Sequence, residues 1–196
     1  MNSFDYGNAI RHQATLTLSI IKDVIDADNA LVIDCETTGL TGVVIEFSAR
    51  SVKTGGEVLA FTVNPGEVEW SPYAANLHAP KANLYHRAPE TRVFHAALAR
   101  TLSVWPLVIA YNAPFDTAAI QRTWPSLITS QNGPVVCAME LASALHSEWN
   151  PSRNSFTFLG LEKLAQKLNV LDPDEKQQHS ASADTALLRE VLIALV

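Results

Sequence analysis

The chain has 196 residues, 47% of them hydrophobic and 17% charged, with a formal net charge of −6. A chain of this length fits one domain that buries roughly 70% of its unfolded surface without disulfides or structural zinc, and its composition excludes wholesale disorder. The acidic balance argues against a protein that coats duplex nucleic acid non-specifically, though not against one that holds it through local contacts and metal ions.

No apolar run approaches the roughly 20 residues of a membrane span. The N-terminus, MNSFDYGNAIRHQ, carries an early acid and no apolar core, unlike a secretory signal. Cys35 and Cys137 lie in apolar, strand-like contexts without CxxC spacing, which predicts reduced core thiols in a cytoplasmic protein.

In chain order, Ile10, Ala14, Leu18, Ile21 and Ile25 recur at spacings of three and four, predicting an amphipathic helix over Ala9–Ile25. Residues 1–29 read as an N-terminal helical extension and 30–196 as the main domain. A strand begins at Ala30. Val43–Val52 and Glu57–Val63, joined by Lys53-Thr54-Gly55-Gly56, predict two more strands linked by a hairpin. Glu67–Pro89 has three prolines and no clean period, so it reads as loop with short helical pieces.

From Glu90, the spacing of Val93, Ala96, Ala97, Leu98 and Leu102 predicts a helix that Trp105-Pro106 stops. Leu107–Tyr111 is a short apolar strand, and Pro114–Trp124 a helix with proline suited to its first turn. Pro134–Ala138 predicts a brief strand, Met139–Trp149 a helix and Asn150–Asn154 a turn. Leu159, Leu161, Leu164, Ala165 and Leu168 mark another helix, and the last runs from about Ser180 to the C-terminus. Early strands followed by alternating helices and strands predict an α/β fold, a mixed central sheet flanked by helices.

Three stretches carry chemistry. Leu31–Leu40, LVIDCETTGL, is a buried strand that ends in two acids. Residues i and i+2 of a strand share a face, so Asp34 and Glu36 converge. Adjacent carboxylates repel, and burial disfavours their ionised forms. A hard divalent cation is the natural counter-charge, with a solvated strand end as the plain alternative. In Leu107–Ile120 a second strand empties into Asn112, and a helix follows that carries Asp116, where the helix dipole favours an acid without any function. In Gln178–Glu190, His179 precedes a helix that Ser180 can cap, and Asp184 lies one turn inside it.

Together, IDCETTGL, NAPFD (112–116) and HSASAD (179–184) resemble, in order, the motifs of the DEDD superfamily of 3′→5′ exonucleases, whose fold is ribonuclease H-like (DnaQ-like). The histidine five residues before the last aspartate is similar to that of the histidine-bearing branch. The resemblance spans roughly Ala30 to the end. It implies that Asp34, Glu36, Asp116 and Asp184 hold two divalent cations, Mg2+ or Mn2+, with Asp34 bridging and His179 as general base. It also implies that Thr37, Thr38, Gly39 and Leu40 seat the 3′-terminal nucleotide, with His78, Asn112 and Phe115 beside them. Glu46 matches a glutamate commonly seen on the family's second strand.

The activity implied is hydrolysis of single-stranded DNA from a free 3′ end, releasing nucleoside 5′-monophosphates. An exoribonuclease or oligoribonuclease is the first alternative, since nothing in the sequence reads a 2′ hydroxyl. A polymerase proofreading subunit is the second, although only twelve residues follow Asp184. A non-catalytic nucleic-acid-binding module is the third. The segment before Ala30 departs from the family's usual compact start and is a candidate surface for a partner or a second copy in a homodimer.

Overall fold

The computed structural model describes residues 3–127 and 135–196, so the predicted strand start at Pro134 lies outside it. β1 (Ala30–Thr37) is central because it is apolar on both faces through Ile33. β2 (Val44–Ser51) pairs with it antiparallel, and β3 (Glu57–Thr62) pairs antiparallel with β2. On the other side lie β4 (Leu107–Ala110) and β5 (Val136–Cys137), each parallel to its neighbour. The sheet is therefore five-stranded and mixed, in the order β3-β2-β1-β4-β5.

Helices cover both faces, and the alternation of β1 decides which residues meet them. Leu31, Ile33 and Cys35 join Phe47, Phe61, Leu98, Ile120 and Trp124 in one core, under α4 (His95–Val104) and α5 (Ala113–Thr123). Ala30 and Val32 point the other way, into a core with Ile21 and Ile25 of α1 (Ser3–Asp26), Leu164 of α7 (Leu161–Lys167) and Leu188 and Leu192 of α8 (Ala181–Leu195). Asp34 and Glu36 continue that second row, so the strand's own pleat aims them toward the α8 side. A buried hydroxyl pair, Ser48 Oγ and Thr185 Oγ1 at 2.9 Å, ties α8 to β2.

Three elements differ from the periodicity. α1 starts at Ser3 rather than Ala9 and packs on α6 (Ala138–His146), where Arg11 Nε donates to the Ala144 carbonyl at 3.0 Å. The approach depends on Gly7, since a Cβ there would sit 3.0 Å from the Trp149 ring. The patternless stretch after Pro65 is largely helical. Ser71 accepts from the Ala74 amide and Pro72 opens α2 (Pro72–His78), after which α3 covers Ala82–Arg87. Finally, β6 (Trp149–Asn150) and β7 (Ser155–Phe156) form a small hairpin around the predicted turn, and α6 ends at His146 rather than Trp149. Among the described residues, no helix is long and apolar enough to cross a membrane.

Candidate active site

The acids meet at the C-terminal end of β1. Asp34 and Glu36 come from the strand itself. Asp116, in the first turn of α5, is buried, and its Oδ1 accepts the Cys35 amide at 3.0 Å, which draws α5 against the strand from 81 residues away. Asp184, one turn into α8, is buried and its Oδ2 accepts from Gln177 Nε2 at 2.7 Å. His179 stands just before the Ser180 cap with φ 50°, in the left-handed region. That conformation is uncommon outside glycine and clusters at functional sites. Ligand atoms of Glu36, His179 and Asp184 all lie within 4.8 Å of one another.

The electrostatics show how crowded this corner is. Burial, and then the carboxylates of Asp116, Asp184, Glu36 and Glu46, raises Asp34 well above the ordinary carboxylate range. Burial pushes Asp116 up to about 7 against the opposing bond from Cys35. Burial likewise pushes Asp184 up to about 6, helped by Glu36 and opposed by Gln177, His179 and Lys81. Among the described residues, no lysine or arginine forms an ion pair with any of the four acids. A converging set of carboxylate oxygens with one imidazole and no pairing cation fits hard divalent ions such as Mg2+ or Mn2+.

Beside the acids opens a cleft of about 1140 Å³. Thr37, Thr38, Gly39 and Leu40 line one wall, with His78 and Phe115 also on its surface. Leu40 projects with 84% exposure, a high figure for a leucine with no packing role. Asn112 is exposed at the cap of α5, apart from the residues that line the cleft.

His78 is buried, with Nε2 3.4 Å from Glu36 Oε2. Behind it lies a network that no motif announced. Tyr85 donates to Glu46 Oε1 at 2.7 Å, and Lys81 Nζ reaches the same oxygen at 2.8 Å. In the sequence, Lys81 and Tyr85 are ordinary residues of a proline-broken stretch, and the spacing of four between them is their sole signal. Gln177 gave none. Trp70 packs against Tyr85 and edge-on to His78, with ring centroids 5.8 and 6.4 Å apart.

A mixed five-stranded sheet with helices on both faces is the ribonuclease H-like fold of the DEDD-type exonucleases. Among solved structures, the chain is similar to Exonuclease X in complex with 5′ overhanging duplex DNA, at 25% identity over 84% of this chain and 89% of that one, with a TM-score of 0.58. It shares its fold with S. pombe Pop2p in a Mg2+- and Mn2+-bound form, at 14% identity, 92% and 88% coverage and a TM-score of 0.55. The same fold recurs in a 3′-exonuclease that recognises a histone mRNA stem-loop, at 14% identity, 86% and 81% coverage and a TM-score of 0.59. No family model and no curated protein matches the chain.

Proposed function

We propose that this chain is a metal-dependent 3′→5′ exonuclease that hydrolyses single-stranded DNA ends and releases nucleoside 5′-monophosphates. The observation that carries the reading is the meeting of Glu36, His179 and Asp184 within 4.8 Å, beside the raised carboxyls of Asp34 and Asp116. The likeness to Exonuclease X, a protein solved with DNA, favours a DNA substrate.

Asp34, Glu36, Asp116 and Asp184 would hold two divalent cations. Bound there, the pair supplies charge shielding at the phosphate and a more acidic attacking water. The chain's own groups do the rest. His179 takes the proton of that water, a task suited to an imidazole whose ordinary pKa lies near neutrality. Thr37, Thr38 and Gly39 offer short polar and backbone groups to the terminal nucleotide, while Leu40 and Phe115 offer apolar surface to its base. His78 completes the binding set, and Asn112, outside the cleft, has no part in it.

The decisive test is release of mononucleotides from a labelled single strand in Mg2+, with an EDTA control and a matched RNA strand. Mg2+-dependent release that starts at the 3′ end supports the reading. Faster initial rates on RNA would move the substrate assignment to RNA ends, and no release in any metal would leave only a fold.

A further inference from the structure

Glu46 stands opposite Glu36 in the register of β1 and β2, and it is buried. Each of its carboxylate oxygens serves a different part of the site. Oε1 accepts from Tyr85 Oη at 2.7 Å and Lys81 Nζ at 2.8 Å. Oε2 accepts the backbone amide of Ala181 at 3.3 Å. Ala181 is the first residue of α8, and its amide is one of the donors a helix N-terminus leaves unpaired.

The first arm ends at His78. Because Tyr85 spends its hydroxyl proton on Glu46, its oxygen can only accept from His78 Nδ1, 3.3 Å away. That bond requires a proton on Nδ1, and it holds the ring with Nε2 3.4 Å from Glu36 Oε2. The second arm ends at His179, two residues before Ala181, in its left-handed conformation. That conformation is uncommon for a non-glycine residue, and the Glu46–Ala181 bond two residues on helps to hold the segment in it.

We propose that Glu46 is a positioning residue that sets both active-site histidines, His78 through Tyr85 and His179 through the Ala181 amide. This rests on the exonuclease reading for the histidines' roles but not for their geometry. Outer-shell partners that orient a histidine by hydrogen bonding tune metal sites, where their loss costs roughly 10–100-fold. A glutamate that merely capped α8 would have no call on Tyr85 and Lys81. One that merely paired with Lys81 would have none on Ala181.

The geometry can be read without substrate, from imidazole 15N–1H correlations of the metal-free protein. Tyr85→Phe should move the His78 signals and leave those of His179, whereas Glu46→Gln should move both. An unchanged His179 in Glu46→Gln overturns the proposal. Should Glu46→Gln fail to fold, Ala181→Pro tests the same arm. It removes only that donor, at a first helical position that tolerates proline after an extended Ser180. Here His179 should move and His78 stay. An unmoved His179 in this variant also overturns the proposal.

In activity, Glu46→Gln should lower kcat roughly tenfold or more in the wild-type background. The same change should cost less when His179 is already Ala, because the part of its effect that passes through that residue is then gone and only the His78 arm remains. Equal losses in both backgrounds would make Glu46 a general structural residue. A chain that releases no nucleotide at all would sink the exonuclease reading, and the imidazole signals would still decide this one.

Discussion

At Asp116 and Asp184, burial raises two carboxyls from 3.8 to about 7 and about 6. Between those folded values and the unfolded one, the native protein holds protons that the unfolded chain has released. Stability of the metal-free protein should therefore fall as pH rises from about 4 to about 7, the reverse of the usual salt-bridged carboxylate. Thermal unfolding in EDTA should show a higher midpoint at pH 5 than at pH 7.5, and added Mg2+ should raise the midpoint chiefly at the higher pH. A midpoint that climbs with pH in EDTA would contradict the burial argument. As the proposed general base, His179 should behave differently from the acids. His179→Ala should lower kcat by on the order of 10²–10⁴ with metal and substrate affinity kept, as for loss of a general base. An equal loss of Mg2+ affinity, measured by calorimetry, would make it a ligand instead. Asp34→Ala should abolish turnover.

Among the elements, the turn after β1 and helix α1 carry the sharpest expectations. Gly42 closes the turn by donating its amide to the Gly39 carbonyl at 2.8 Å. A Cβ at position 42 would overlap Thr38 Oγ1 and lie 2.6 Å from the Gly39 amide nitrogen. Backbone cannot yield as a side chain would, so Gly42→Ala should cost about 1–3 kcal/mol. It should also raise KM, because it displaces the wall that bears Thr38 and Leu40. α1 reads in the sequence as an extension, yet Ile21 is 2% exposed in the core shared with α7 and α8. Ile21→Ala should destabilise the whole domain by about 2–5 kcal/mol in denaturant unfolding. A loss below about 1 kcal/mol would mark α1 as a separable appendage.

For the whole molecule, the substrate is the open choice between two chemistries, and one rate comparison settles it. Matched DNA and RNA single strands in Mg2+ should give the faster initial rate on DNA if the cleft lacks a partner for the 2′ hydroxyl. With a net charge of −6, the protein's rate should depend on salt less steeply than that of a basic nucleic-acid binder. Much of the architecture was already visible at this scale. Short apolar runs, a Gly-Gly hairpin signal and helices of period three to four predicted the mixed sheet, and three acidic stretches marked the candidate site. What stayed hidden was concentrated in contacts between remote segments, of which Lys81 and Tyr85, 35 and 39 positions from Glu46, are the clearest cases.

The sequence by itself determined whatever depends on near neighbours. The pleat of β1 puts Asp34 and Glu36 on one face, Ser180 caps the helix that bears Asp184, and a proline opens the helix that bears Asp116. Only the tertiary structure decided how those pieces meet. The Cys35 amide seats Asp116, Gly7 lets α1 close on Trp149, and Glu46 gathers donors from three segments. The reason is one of range. Periodicity and capping are settled within a few residues, whereas a hydrogen bond across 81 or 135 positions exists only after the faces have packed.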